Sequence, residues 1–120
     1  MSKGFDASDQ SHLTREQKMP TKITVIYDNP TDPEAFEAAY PAQVPLAKAM
    51  PGIQRLETGK VWPKEDGSPT PAYRTIDMYF ADYDAASAAV QTPEAGALVP
   101  SIIALATGGF RILFVDVEES

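Results

Sequence analysis

The 120-residue chain has no cysteine and a single histidine, His12. The first absence removes disulfides, thiolate nucleophiles and cysteine-based zinc or iron–sulfur sites together. The second leaves Ser87 and Ser101 with no histidine in the body of the chain to activate them, which excludes a hydrolase triad. No apolar run approaches the roughly 18 residues that a membrane span needs. Residues 1–18 also lack the apolar segment of a secretory signal, so cytoplasmic residence is the expectation. Basic residues are scarce as well: 10 Lys and Arg stand against 17 Asp and Glu, a net charge of -7. Nucleic-acid binding needs a clustered basic surface and is excluded on that ground. No acidic cluster has metal-loop spacing, and Gly108-Gly109 is a helix stop, not a phosphate cradle, because no Gly-rich loop leads from a strand into a helix. The composition calls for no metal and no other cofactor.

What is present is an ordinary soluble core. Apolar residues make up 43% of the chain, enough for one domain at this length. The chain divides into residues 1–18, a flexible N-terminal tail, and residues 19–120, the folded domain. In the tail only Met1, Phe5, Ala7 and Leu13 are apolar, too few to offset the entropy of ordering it. Docking of the tail on a partner subunit is the alternative. Its charges (Lys3, Arg15 and Lys18 against Asp6, Asp9 and Glu16) cancel, so the acidity belongs to the domain.

Within the domain the order is strand, helix, strand, strand, helix, strand. Lys22 to Tyr27 alternates Ile23, Val25 and Tyr27 with Thr24 and Ile26, the pattern of a central strand. Asp32 before Pro33 and Glu34 supplies an N-cap, a proline at the first helical position and an acid at the positive end of the helix dipole. Phe36, Tyr40 and Val44 follow at intervals of four and predict one buried stripe. Pro41 and Pro45 predict a kink or break near Tyr40. Ile53 to Trp62 reads as the second strand, with Gly59 as a bulge candidate; Pro63 to Ala72 is a loop, and Tyr73 to Phe80 the third strand. Asp82 to Val90 and a segment capped by Thr92-Pro93-Glu94 and ended at Gly108-Gly109 read as helices. Phe110 to Val117 is the last strand.

That strand carries a clue to assembly. Phe110, Ile112 and Phe114 occupy one face, and Leu113, Val115 and Val117 the other, so both faces are apolar. In a split βαββαβ module the helices cover one side of an antiparallel sheet. The second side is then covered most simply by the same side of another copy, giving an isologous homodimer with sheet against sheet.

Thr21 to Gly52, with its strand, Pro-Glu-Ala-Phe helix start, Tyr40, Pro45-Leu46-Ala47 and Pro51-Gly52, resembles the EthD family of the dimeric α/β-barrel superfamily. The family is named for a protein encoded with an ethyl tert-butyl ether degradation system. The resemblance extends to Val117 through Lys60-Val61-Trp62 and the later strands. It implies an α+β, ferredoxin-like βαββαβ fold with a four-stranded antiparallel sheet, a homodimer whose sheets form a barrel, and a cleft between sheet and helices. Related folds use such clefts for small organic substrates in cofactor-free oxygenation, isomerisation, dehydration or cyclisation, and in some branches for haem. Members commonly place a histidine just before Val-Pro-Leu-Ala. This chain has Gln43 there, and Ala39 where a second histidine can stand, which disfavours histidine catalysis and histidine haem ligation.

The remaining candidates each carry two readings. Tyr40 is a weak acid or positioning donor in the cleft, or a core aromatic at helical spacing from Phe36. Asp77, an acid among apolar strand residues, is a general base or a satisfied structural or interface carboxylate. Arg74 lies three positions away and faces the opposite side of the strand, so it cannot pair with Asp77 directly. Tyr27, Gln43, Trp62 and Arg74 are the substrate-binding candidates, with Trp62 either a flat wall for a ligand ring or the packed end of a strand, and Tyr27 otherwise sheet packing. Two functions survive: a small dimeric enzyme acting on an apolar organic substrate, in degradative or accessory metabolism, and a non-catalytic binding or auxiliary protein on the same scaffold. An open cavity holding Tyr40, Gln43 and Asp77 together favours the first, and a filled one the second.

Overall fold

In the computed structural model, residues 19–118 are described; the tail, with His12, lies outside them. The order is β1 (Thr21–Tyr27), α1 (Pro33–Ala39), a 3₁₀ turn (Tyr40–Ala42), α2 (Gln43–Lys48), β2 (Arg55–Lys60), β3 (Arg74–Phe80), α3 (Tyr83–Ala89), α4 (Pro93–Leu105) and β4 (Phe110–Asp116). The strands form one sheet in the order β2-β3-β1-β4, and every neighbouring pair is antiparallel. This is the α+β ferredoxin-like arrangement expected from the element order. The helices start as their sequences dictate: the side chains of Asp32, Asp82 and Thr92 accept from the backbone N–H groups of Ala35, Ala85 and Ala95, each cap being worth ~1 kcal/mol. Among the described residues no single helix is long and apolar enough to cross a membrane.

The register sorts the side chains into two faces. On the helix-covered face the rungs run Phe110–Tyr27–Arg74–Lys60, Ile112–Val25–Ile76–Thr58 and Phe114–Ile23–Met78–Leu56. Ile23, Val25, Tyr27, Ile76, Met78 and Phe80 are buried there beneath Phe36, Tyr40, Ala47, Ala86, Leu98 and Ile102. On the open face the rungs are Arg111–Ile26–Thr75–Gly59, Leu113–Thr24–Asp77–Glu57 and Val115–Lys22–Tyr79–Arg55.

Three sequence expectations are refined. The β2 strand is shorter than Ile53–Trp62, and Gly59 pairs in unbroken register with Thr75, so it is no bulge. The prolines break the first helix as expected, but the intervening 3₁₀ turn winds about 120° per residue instead of 100°. That advances the buried stripe from Val44 to Gln43 and Ala47. The last strand is less covered than its two apolar faces implied. β4 is an edge strand, and on its helix side Phe110, Ile112 and Phe114 remain 37%, 39% and 41% exposed, with the Tyr83 ring tilted against Phe114.

Gly108 fixes where the β1–α1 turn meets the end of α4. A Cβ there would lie 1.9 Å from the Asn29 carbonyl oxygen, so only glycine permits the approach. The contact is extended by Asp28 N–H donating to the Gly109 carbonyl and Thr31 N–H donating to Thr107 Oγ1.

Candidate functional site

The expected site residues fall into four places, three of them adjoining: Tyr27 and Arg74 are cross-strand partners, and Lys60, Val61 and Pro63 edge the cavities at both Trp62 and the Arg74 corner. Gln43, at the first position of α2, is turned inward by the 3₁₀ turn and is 1% exposed. Its Oε1 accepts from the Tyr27 hydroxyl at 2.8 Å, and its Nε2 donates to Ser101 Oγ at 3.0 Å. Ser101 Oγ in turn donates to the Leu98 carbonyl at 2.8 Å. This line ties β1 to α2 and α4 through the core. Tyr27 is completely buried, and that burial pushes its hydroxyl up to about 12, against the Gln43 hydrogen bond, so it stays protonated. Gln43 and Ser101 also edge a small cavity of about 200 Å³ between the helices, otherwise lined by alanine and leucine side chains.

Asp77 stands elsewhere. Strand alternation puts it on the open face, where it accepts from Thr24 Oγ1 and lies 3.5 Å from Lys22 Nζ. The sheet itself separates it from Tyr40 and Gln43. The three residues do not share a cavity, and a constellation of Tyr40, Gln43 and Asp77 is not assembled within one chain. Trp62, beyond the end of β2, is 87% exposed, so it is not the packed end of a strand. With Lys60, Val61 and Pro63 it lines a shallow cavity of about 250 Å³.

The fourth place is a polar corner where α1 meets the β2–β3 end of the sheet. Arg74 Nη2 and Nε donate to the two oxygens of Glu37 at 2.7 and 3.0 Å, a bidentate pair. Tyr73 donates its hydroxyl to Glu37 Oε2 at 2.8 Å. The Arg74 hydrogen bond holds the Glu37 carboxyl down at about 2 against the opposing effect of its desolvation. The guanidinium also lies 4.4 Å from the centre of the Tyr40 ring, which stacks on Phe36 at 5.6 Å. Tyr40 is thus a core aromatic, and its buried hydroxyl, close to Arg74 and Thr58, has no hydrogen-bond partner of normal geometry among the described residues. Burial pushes that hydroxyl up, opposed by the Arg74 charge.

Beside this corner opens a cavity of about 470 Å³, within the range of small-molecule sites. Asn29, Lys60, Val61, Thr70 and Tyr73 line it, together with Pro63 and the Gly67-Ser68-Pro69 stretch of the following loop. Asn29 Nδ2 donates to the Thr70 carbonyl at 2.7 Å and thereby holds the loop over the β1–α1 turn. Thr70 Oγ1 closes a local turn on the Ala72 carbonyl. Sequence reasoning named Arg74 but missed Glu37, Lys60, Tyr73 and Asn29. The only hint was Glu37 standing one residue past Phe36, on the flank of the buried stripe. Gln43 has its amide spent on Tyr27 and Ser101, so the donor set there does not fit an axial haem ligand.

No family model matches the chain. An uncharacterized 11.0 kDa protein of the thcB–thcC intergenic region of Rhodococcus erythropolis is 34% identical over 98 residues, which span 81% of this chain and 94% of that protein. Among solved structures, an ethyl tert-butyl ether (EthD) family protein from Bacillus halodurans superposes with a TM-score of 0.76 at 22% identity, covering 83% of this chain and 100% of the other. A dimeric ferredoxin-like protein of unknown function from Thermobifida fusca gives 0.62 at 18% identity, covering 84% and 93%. The chain therefore belongs to one family with the Rhodococcus protein, and it shares the fold of the EthD family protein from Bacillus and of the dimeric ferredoxin-like protein from Thermobifida.

Proposed function

We propose that this protein is a homodimeric binding protein for a small, largely apolar organic molecule, an auxiliary of that molecule's degradation and not its catalyst. The observation that carries the proposal is Gln43. It stands where a proton-transferring histidine would stand, carries no titratable proton near neutral pH, and is hydrogen-bonded at both ends into the core. Asp77, the alternative base, is on the other side of the sheet. The corner cavity beside Lys60 and Tyr73 is the ligand site on this reading. The assembly draws support from the apolar edge strand β4 and from the dimeric ferredoxin-like protein of similar fold. The degradative setting draws on the family whose name refers to ethyl tert-butyl ether.

A thermal-shift screen of small aromatic and ether compounds, followed by mass-spectrometric analysis of the hits after overnight incubation, tests the proposal. The expected result is stabilisation with unaltered compound. Turnover that survives repurification would replace this reading with the enzymatic one. That second reading is favoured by the buried Tyr40 hydroxyl, which lies close to Arg74 and Thr58 without a hydrogen bond of normal geometry, and Tyr40→Phe should then abolish turnover while leaving binding intact.

A further inference from the structure

The corner cavity has a charge imbalance that specifies its ligand further. Lys60 and Arg74 are direct cross-strand partners on the same face of the sheet. Like charges in that position repel and destabilise the pair. Glu37 neutralises one of them, and it gives that charge to Arg74 in a two-pronged pair. Lys60 is left over. Its ammonium lies 5.5 Å from the centre of the Tyr73 ring, and among the described residues it makes no ion pair. Of the acids along the flanking turns, Asp28 pairs with Arg111 at 3.1 Å and Asp66 accepts from the N–H and hydroxyl of Ser68, while Glu65 forms no ion pair with Lys60 among the described residues. A cavity wall thus carries a cation that, among the described residues, stands in no ion pair and shares only the more distant field of Glu37, in a chain whose net charge is -7.

The rest of that wall is Val61, Pro63, Pro69 and the Tyr73 ring, with Asn29 as a neutral amide. An anion at Lys60 would relieve the repulsion across the Lys60–Arg74 rung while its apolar body lay against the prolines and the ring. Resting on the binding-protein reading above, we infer that the corner cavity takes an organic monocarboxylate, with Lys60 as its counter-ion. An ether or hydrocarbon alone would give the ammonium no ion-pair partner, whereas a carboxylated product of such a compound would.

The test is isothermal titration of the full chain with 4-phenylbutanoate and its neutral isostere 4-phenylbutanamide, at low and at physiological salt, for the native protein, Lys60→Gln and Lys60→Arg. Lys60 is exposed, so neither substitution threatens folding. The expected result is binding of the carboxylate at least ~10-fold tighter than the amide at low salt, weakened by added salt. Lys60→Gln should abolish that preference, and Lys60→Arg should keep it. Equal binding of both probes, unchanged in Lys60→Gln, overturns the charge assignment but leaves the binding-protein reading standing. Binding of neither probe overturns the assignment of this cavity as the ligand site, and with it the inference.

Discussion

Gln43→Leu is the substitution that separates a structural glutamine from a functional one. It removes the acceptor of a tyrosine hydroxyl that has no access to water, and a buried donor left without a partner costs ~1–3 kcal/mol. The Ser101 side loses less, because that hydroxyl keeps the Leu98 carbonyl as its own acceptor. A total near ~2 kcal/mol lowers the melting temperature by roughly 8–16 °C, at ~4–8 °C per kcal/mol for a domain of this size. Tyr27→Phe alone should cost a similar amount, since it strands Gln43 Oε1. Replacing both partners by apolar groups of matching shape is close to neutral for the pair, so Tyr27→Phe with Gln43→Leu should be at least ~1 kcal/mol more stable than the two single losses added together. Urea unfolding at pH 7 measures this, followed by circular dichroism, because the lone tryptophan, Trp62, is 87% exposed and reports poorly on the core. Additivity within ~0.3 kcal/mol would refute the coupling.

Three further outcomes are expected. Gly108→Ala forces a methyl to within 1.9 Å of the Asn29 carbonyl; it should cost ~2–3 kcal/mol by overpacking and loosen the corner cavity, read as a lower urea midpoint and weaker ligand binding together. The Glu37 carboxyl has its folded pKa depressed from 4.5 to about 2, so its stabilising effect is full above pH 4.5 and lost as pH falls towards 2. The side chain is 34% exposed, which reduces the effect to on the order of 1 kcal/mol; Glu37→Gln should be less stable than the native chain at pH 6 and equal to it near pH 2, and a constant difference across that range would contradict the pairing. Leu113→Lys on the open face should shift sedimentation from twice 13.0 kDa to 13.0 kDa, while an unchanged dimer would place the interface elsewhere.

The fold was legible because its punctuation is local. Asp32, Asp82 and Thr92 cap as their neighbours dictate, and Pro41 with Pro45 breaks the helix where a missing backbone donor must break it. The site was less legible. Grouping Asp77 with Tyr40 and Gln43 conflicts with the period-two alternation that buries Ile76, Met78 and Phe80 beside it, and only the register makes the conflict visible. The Glu37–Arg74 pair joins a helix to a strand 37 positions away, and no spacing rule within an element reaches that far. The hidden face of Gln43 depends on a single 3₁₀ turn, which the stripe Phe36, Tyr40, Val44 did not anticipate.

The place of β1 in the sheet bears on how the protein is made. β1 is the first strand of the domain to leave the ribosome, yet both of its neighbours, β3 and β4, come from the second half of the chain. The contact from Thr21 to Asp116 spans 95 residues. At roughly 5–20 residues per second of synthesis, Ile23, Val25 and Tyr27 wait about 5–20 s for the last strand that will shield them. Until Arg74–Phe80 is made the nascent domain is a central strand without a sheet, and until Phe110–Asp116 follows one edge of β1 stays unpaired; it is then that chaperone binding or misassociation with another nascent copy competes with folding.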